Sequence, residues 1–139
     1  MRANVIAPEC HAVVDVRVPD ADEAERITAA ICNLVAVTQG VSLEVSGAVE
    51  RTPLERNARN QALWHLARGL AGDLGLQIDQ GFAGGGSDGN LTSPVAATLD
   101  GLGAVGDGAH ALHEHIDVDR SLERCALLAM LLLSDGADA

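Results

Sequence analysis

The chain has 139 residues and a net charge of −11, with 20 acidic against 9 basic residues. A surface this acidic argues against nucleic-acid and anionic-membrane partners, since both require clustered cations. Hydrophobic residues make up 47% of the chain and charged residues 21%, which is a globular rather than a disordered composition. Because aromatic residues are only 1%, the core must be built from Ala, Val, Leu and Ile.

Signals for a membrane or for secretion are weak in this sequence. The longest apolar run, residues 126–133, is far shorter than the roughly 20 residues of a membrane-spanning helix. The N-terminal segment has one Arg and no apolar stretch of the kind a signal peptide needs. Cys10, Cys32 and Cys125 are widely spaced and form no CxxC pair, which is typical of reduced thiols. We therefore expect a cytoplasmic protein.

The first third of the chain predicts a strand, a helix and a strand. Residues 11–18 alternate valine with polar residues, which predicts a strand that ends before Pro19. Asp20 is the predicted N-cap of a helix with an acidic first turn and an apolar stripe that runs to Val35. Residues 41–45 alternate like a second strand. Together these elements form half of a split βαβ sandwich.

Two further helices and a short strand are predicted after this unit. The first helix covers residues 57–74 and ends at Gly75, and a strand follows at 76–78. The second helix begins at Asp119 or Ser121 and runs through Leu133. Their inward faces are predicted to be Ala62, Leu63, Leu66 and Leu70 in the first helix, and Leu122, Cys125, Leu128, Ala129 and Leu132 in the second.

Most of the 15 glycines lie in two loops between residues 81 and 108. Glycine is used where the backbone adopts a positive φ or approaches another group closely. Such loops after strand-like segments are typical of the rim of an active site. The loop at 84–90 is neither a P-loop nor GxGxxG. Its amides and Ser87 fit a carboxylate or an oxyanion, and they fit equally a tight turn capped by Asp88.

His110, His113, Glu114 and His115 form the main cluster of metal-ligand residue types. A zinc site needs three or four ligands at about 2 Å, and histidines on a solvated loop are more often surface residues. His110 is the best candidate because it ends a glycine run, where the backbone leaves room for another group. A small metal-binding protein that uses all four residues is the least favoured interpretation.

Asp15 and Arg17 lie on one face of the first predicted strand. One interpretation is a cross-strand salt bridge on a solvated sheet, worth at most about 1 kcal/mol. The other makes Arg17 a bidentate clamp for a substrate carboxylate. Asn4 and the turn at 51–55 are equally ambiguous when they are taken alone. No nucleophile is placed beside a base, so no catalytic residue is assigned.

Six segments occur in an order that resembles a known family. They are Asn-Val-Ile at 4–6, Val-Asp-Val-Arg-Val-Pro at 14–19, Arg-Thr-Pro-Leu-Glu at 51–55, Gly-Gly-Ser-Asp-Gly-Asn at 85–90, Thr-Leu-Asp-Gly-Leu-Gly-Ala-Val-Gly at 98–106, and Gly-Ala-His at 108–110 followed by Glu114. The series resembles the C-terminal part of the zinc metallopeptidase family of glutamate carboxypeptidase, acetylornithine deacetylase, succinyl-diaminopimelate desuccinylase and aminoacylase. The resemblance covers essentially the whole chain.

The resemblance implies an α/β fold in two parts. Residues 1–48 would be the second half of a ferredoxin-like dimerisation domain, the lid, and residues 49–139 the C-terminal part of a mixed-sheet catalytic domain. It also implies a homodimer formed through the lid strand. A complete enzyme of this kind holds two zinc ions and cleaves an amide bond of an N-acyl amino acid or small peptide.

The same resemblance implies roles for individual residues. His110 would bind one of the two zinc ions, and Glu114 would support the histidine loop. Asn4 would reach the substrate across the dimer. The residues implied to contact substrate are Asn4, Arg17, Gly85, Gly86 and Ser87.

Several parts of the family's catalytic centre have no counterpart in this sequence. They are the first metal histidine, the bridging aspartate, the general-base glutamate, the further carboxylate ligands and the lid histidine. The favoured interpretation is therefore a fragment of a two-zinc amidohydrolase that is inactive as this chain alone. The alternative is a stand-alone, non-catalytic module derived from the family that dimerises or binds a partner. An upstream HxD motif and a Glu-Glu pair would decide for the first.

Overall fold

The computed structural model describes residues 4–134. In chain order these residues form helices α1 (Ala21–Cys32), α2 (Ala58–Asp73) and α3 (Gly89–Thr92), strands β1 (Gly106–Asp107) and β2 (His115–Ile116), and helix α4 (Val118–Leu133). The two strands are antiparallel neighbours in a two-stranded sheet. This mixture of helices and strands is compatible with the predicted α/β class.

Helix α1 begins where the sequence predicts. The side chain of Asp20 accepts a hydrogen bond from the backbone N–H of Glu23 at 2.8 Å, which satisfies one of the free amides of the first turn. The helix ends three residues earlier than its apolar stripe suggests, because both backbone and side chain of Asn33 bond back to the helix and close its end. Leu34 and Val35 consequently lie outside the helix and are exposed.

Both ends of α2 agree with the prediction. The Asn57 side chain caps its first turn. At the other end Gly75 has a φ of +73°, and its N–H donates to the carbonyl of Gly72 at 2.9 Å. The N–H of Leu76 donates to the carbonyl of Ala71 at 2.8 Å. These two bonds form the Schellman motif, in which glycine adopts the left-handed conformation at low cost.

Helix α4 begins earlier than predicted. Its N-cap is Asp117, whose side chain accepts from the N–H of Arg120 at 3.0 Å, so Asp119 lies inside the first turn instead of preceding it. Two aspartates two residues apart offer the same local signal, and only the neighbouring backbone decides between them. Asp117 is favoured because its own N–H donates to the carbonyl of Val105 at 2.8 Å, just before β1.

The core lies between α2 and α4, which pack against each other. Ala67 and Ala71 of α2 and Leu127 of α4 are fully buried. The predicted inward faces are partly wrong: Ala62, Leu122, Cys125, Ala129 and Leu132 are exposed, whereas Leu63, Leu66, Leu70 and Leu128 are half-buried. The second half of α4, residues 126–133, is apolar on all sides, and such a stretch does not indicate which side meets its neighbour.

The predicted strands at 11–18, 41–45 and 76–78 form no strand within residues 4–134. A strand exists only when a neighbour completes its ladder of hydrogen bonds, and the structure supplies no neighbour for these segments in its described part. Their apolar side chains are correspondingly open, with Val13 101% and Val14 71% exposed. The sequence thus predicts the extended conformation but not the absence of pairing.

The chain exposes far more surface than a compact protein of its mass. Its accessible surface is 11271 Å², whereas a folded monomer of 14.3 kDa has about 6,800 Å². Within residues 4–134 the buried hydrophobic side chains are Ala24, Ala67, Ala71 and Leu127. None of the helices described here has the length and hydrophobicity to cross a membrane.

Candidate carboxylate site and histidine loop

The glycine loop at 84–90 is held in shape by two of its own side chains. Asn90 Oδ1 accepts from the backbone N–H of Ser87 at 2.8 Å, and Ser87 Oγ accepts from the N–H of Gly89 at 3.0 Å. Asp88, the predicted cap of this turn, makes no capping hydrogen bond with its side chain. The turn is therefore built by Ser87 and Asn90, and the hydroxyl proton of Ser87 remains free to donate.

The turn at 51–55 anchors this loop from the other side. Asn90 Nδ2 donates to the carbonyl of Thr52 at 2.8 Å, and Thr52 Oγ1 donates to the carbonyl of Asn90 at 3.2 Å. A Cβ placed on Gly89 would lie 2.7 Å from Leu54 Cδ1, so only glycine fits there without displacing that side chain. Two segments that are 30 to 40 residues apart in sequence thus fix each other's position.

Two arginines converge on the three consecutive glycines of the loop. A Cβ placed on Gly84 would lie 3.1 Å from Arg17 Cδ and 3.7 Å from its Nη1. A Cβ placed on Gly86 would lie 3.4 Å from Arg51 Nη1 and 3.5 Å from its Cδ. Arg51 belongs to the Arg-Thr-Pro-Leu-Glu segment at 51–55. Its contact with Gly86 joins residues that are far apart in the chain, so no sequence pattern predicts it.

Gly85 lies between these two contacts and faces open space. A Cβ placed on it would meet nothing within 4 Å, and its φ is not positive. The fold itself therefore does not require glycine at this position. Two guanidinium groups beside one glycine loop favour the binding of a small anion.

One edge of the Arg17 guanidinium already forms hydrogen bonds within the chain. Its Nε and Nη2 donate to Asp15 Oδ2 at 3.0 and 2.9 Å. The predicted ion pair exists, although it joins residues of one segment rather than of two paired strands. Both side chains are more than half exposed, so the pair adds little stability. Nη1 is the guanidinium nitrogen that remains on the side of Gly84.

The interior behind the glycine loop is organised by Asn60, which the sequence does not single out. Asn60 is 4% exposed. Its Nδ2 donates to the carbonyl of Glu55 at 2.8 Å and to Ser93 Oγ at 2.7 Å. Its Oδ1 accepts from the N–H of Thr98 at 2.8 Å. One buried amide thus joins α2 to three separate loop segments, with both of its N–H donors and its oxygen hydrogen-bonded.

A carboxylate side chain of the turn at 51–55 connects this turn to the first third of the chain. Glu55 Oε1 accepts from the backbone N–H of Ala21 at 2.8 Å, at the positive end of α1. The bond brings the segment that contains Arg17 and Asp20 next to the turn at 51–55. Arg17 and Arg51 can therefore reach the same loop.

His110 lies in the tight turn between β1 and β2. It has a φ of +67°, the only positive φ of a non-glycine residue in the described part. The N–H of Ala111 donates to the carbonyl of Gly108 at 2.8 Å, and the N–H of Glu114 donates to the carbonyl of Ala111 at 3.0 Å. A left-handed conformation at a non-glycine residue is costly and occurs preferentially at functional sites.

The comparison with protein families identifies the chain. The model of peptidase family M20/M25/M40 matches residues 2–134 of the 139. The chain belongs to this peptidase family. No curated protein and no solved structure matches it. The metallopeptidase resemblance carried by the six sequence segments is thereby confirmed at the level of the family, whose members are generally zinc-dependent hydrolases.

The metal-ligand residues of this M20/M25/M40 chain do not assemble into a metal centre. Within residues 4–134, no group of three or more His, Cys, Asp or Glu side chains is placed to hold a metal ion. His113 instead packs on the turn, since a Cβ at Gly108 would lie 2.7 Å from its Cδ2. The ring of His115 lies against the carbonyl of His113, with Nδ1 at 3.1 Å. The described residues therefore show no grouped ligands for a small metal-binding protein or for a two-zinc centre.

The remaining predicted substrate residues lie in different places. Gly85, Gly86 and Ser87 lie together with Arg17 at the glycine loop. Asn4 is exposed at the start of the described chain, where it contacts none of them through a hydrogen bond among residues 4–134. Glu114 closes the histidine turn through its backbone N–H.

Proposed function

We propose that this member of peptidase family M20/M25/M40 is the C-terminal part of a two-zinc amidohydrolase and binds the carboxylate end of an N-acyl amino acid or small peptide. The observation that carries the proposal is the convergence of Arg17 and Arg51 on Gly84 and Gly86, with the open position of Gly85 between them. This arrangement is a site for one carboxylate.

The geometry fits a carboxylate better than a larger anion. Successive Cα atoms are 3.8 Å apart, so Gly84 and Gly86 are separated by at most about 7 Å. A single carboxylate above Gly85 can accept from the Nη1 atoms on either side, and charge-assisted hydrogen bonds of this kind are the strong ones. In a chain with nine cationic residues and a net charge of −11, two arginines directed at one glycine loop form a local exception to the acidic surface.

The two-part organisation belongs to the same proposal. Residues 1–48 form the second half of a ferredoxin-like lid, and residues 49–139 the end of the catalytic domain. The homodimer forms through the lid strand, which brings Asn4 to the partner's substrate. The extended segments without neighbours and the excess of exposed surface support this organisation, because both indicate surfaces that other polypeptide covers.

His110 is the proposed zinc ligand of this chain, and zinc in a complete enzyme would supply the activated water. One imidazole does not hold zinc tightly, since zinc centres use three or four protein ligands. The other ligands and the general base must come from outside residues 4–134. We therefore expect no amide hydrolysis from this chain alone, and no reaction step is assigned to its residues.

The alternative is a non-catalytic module that binds a partner through its lid half. It is favoured by the side chains of Val13 and Val37, which are 101% and 96% exposed. The two proposals differ at the glycine loop: a partner-binding module has no use for a carboxylate site, whereas the amidohydrolase requires one.

The carboxylate site is tested by a substitution at its open position. In Gly85→Ala the new methyl group enters the space of the ligand, so we expect the affinity for N-acetylglycine to fall about tenfold, the loss of one charge-assisted hydrogen bond. The measurement is an NMR titration of the ¹⁵N-labelled chain. The matched control is Gly103→Ala, since Gly103 also has open space and no positive φ but lies on another loop. Equal affinities of the two variants would contradict the site.

A further inference from the structure

The side chain of Asp107, the last residue of β1, contacts the backbone of the residue that follows it. The N–H of Gly108 donates to Asp107 Oδ1 at 2.7 Å. Since Cγ is one C–O bond of about 1.2 Å from this oxygen, it lies within about 4 Å of the Gly108 nitrogen. Asp107 is exposed, so water reaches its carboxyl group. A carboxyl carbon is thus held beside an amide nitrogen with which it can close a five-membered ring.

Glycine at position 108 leaves the nitrogen accessible for this ring closure. A side chain on the residue that supplies the nitrogen crowds the approach of the carboxyl carbon, and Gly108 has none. The fold requires glycine here for other reasons: its φ is +73°, and a Cβ would lie 2.7 Å from His113 Cδ2. The hairpin therefore keeps an unhindered nitrogen next to Asp107.

We propose that Asp107 is a site of covalent modification, where its carboxyl group condenses with the Gly108 nitrogen and the resulting imide opens to isoaspartate. In the first step the N–Cγ bond forms and one Cγ–O bond breaks, and the carboxylic acid hydroxyl and the amide proton leave as water. In the second step water adds to the imide. Cleavage of the N–Cγ bond restores aspartate, whereas cleavage at the main-chain carbonyl gives isoaspartate. Water is the one co-reactant.

Isoaspartate lengthens the main chain within a very short ladder. Each strand has two residues, and the pairs are Gly106 with Ile116 and Asp107 with His115. An additional backbone carbon at the second pair displaces it from register, which removes half of the ladder. The turn between the strands holds His110 at a φ of +67°. The modification therefore opens the turn that carries this histidine, whether or not the proposed carboxylate site exists.

Another aspartate makes the same contact without a following glycine. The N–H of Gln80 donates to Asp79 Oδ1 at 2.8 Å, and this pair is also exposed. The distance matches that at Asp107, but Gln80 has a side chain that crowds its nitrogen. Asp79 thus tests whether the contact alone is sufficient.

Two further aspartates precede glycine but lack the contact. The N–H of Gly89 donates to Ser87 Oγ at 3.0 Å rather than to Asp88. Asp100 precedes Gly101, whose N–H forms no hydrogen bond with it among residues 4–134. These two pairs test whether the dipeptide alone is sufficient.

The test compares the four aspartates within the same molecules. The full chain is incubated in a warm, near-neutral buffer, folded in one sample and denatured in urea in another, and is then digested with trypsin. Because the sequence has no lysine and no arginine between Arg68 and Arg120, residues 69–120 form a single fragment with all four positions. Electron-transfer mass spectrometry distinguishes isoaspartate from aspartate at each of them.

In the folded chain we expect isoaspartate to form about tenfold faster at position 107 than at 79, 88 or 100. In urea the contact is lost, so the three Asp-Gly pairs react at similar rates and position 79 stays slow. Equal rates at 107 and at 88 or 100 in the folded chain would overturn the role of the contact, and an equal rate at 79 that of glycine. No isoaspartate at 107 while the denatured chain reacts would overturn the site.

The effect on the hairpin is measured by NMR on the incubated folded chain. We expect the NOE contacts between Gly106 and Ile116 to disappear in proportion to the isoaspartate formed at position 107. The matched variant is Asp107→Glu, which keeps the charge but would have to close a six-membered ring; its contacts are compared before and after incubation, and a sample of the unmodified chain kept cold is the second reference. Contacts that persist in the modified chain, or that disappear equally in Asp107→Glu, would overturn the opening of the turn by this modification.

Discussion

Asn60→Leu is expected to expose the Thr98 amide to solvent exchange and to destabilise the region behind the glycine loop by about 3 kcal/mol, because buried partners that lose a hydrogen bond each cost about 1–3 kcal/mol. Leucine has a similar size but cannot replace the bonds to Glu55, Ser93 and Thr98. Hydrogen exchange measured by NMR reports the change at Thr98 directly, with an expected rate increase of about 100-fold for this loss of free energy.

The neighbouring residue provides the control for this substitution. Gln61 is half-buried on the same helix, and among residues 4–134 its side chain pairs only with Gln80, at a distance of 3.4 Å. Gln61→Leu is therefore expected to change stability by no more than about 0.5 kcal/mol and to leave exchange at Thr98 unaltered. Equal protection of Thr98 in the two variants would show that Asn60 does not organise this region.

Gly106→Ala is expected to separate β1 from β2 and to release the turn that carries His110. A Cβ on Gly106 would overlap the backbone carbonyl of His115 and would lie 3.0 Å from the Cα of Ile116. Backbone atoms cannot give way as the end of a flexible side chain can, so the pairing of Gly106 with Ile116 must break. With the pairing lost, the bonds within the turn alone must compensate for the strained φ of His110.

The readout is the set of NOE contacts between Gly106 and Ile116 together with the backbone couplings of His110. In Gly106→Ala we expect the NOE contacts to disappear and the His110 couplings to take the averaged values of an open loop. Gly103→Ala is the control, because a Cβ there meets nothing within 4 Å and the residue has no positive φ. Retention of the strand contacts in Gly106→Ala would mean that the glycine is not needed for this hairpin.

The features that could be predicted from the sequence are those that depend on residues close together in the chain. The caps at Asp20 and Gly75 are made by bonds over three to five residues, and both are present. The predicted start of α4, Asp119 or Ser121, lies two or four residues after the observed N-cap Asp117, because Asp and Ser offer similar local signals at all three positions. Bonds of short sequence range thus carry most of the correct predictions.

Features that depend on distant parts of the chain could not be predicted. The Arg51 contact with Gly86 and the bonds of Asn60 join segments more than 30 residues apart, and no periodicity encodes such pairs. The choice of Leu127 over Leu122 as the buried side chain of α4 depends on where α2 lies. The unpaired segments at 11–18 and 41–45 have a strand pattern, yet a pattern cannot supply the neighbour that makes a strand.

The exposed surface is consistent with an incomplete assembly. The excess over a compact monomer is about 4,500 Å², more than the roughly 1,000–2,500 Å² that one partner contributes to an obligate complex. The open apolar side chains occur both near the N-terminus, as with Val13, and on α4, as with Leu132. Any polypeptide that covers this surface, as we propose for the homodimer, has to contact both regions.

We propose that this chain contributes a carboxylate site and one zinc ligand to a metallopeptidase whose metal centre it does not complete. The most direct test is the zinc content of the purified chain after loading with zinc and desalting. We expect the chain to retain little or no zinc, because within residues 4–134 no three metal-ligand side chains lie together. Retention of two zinc ions per chain would contradict it and would require carboxylate ligands beside His110.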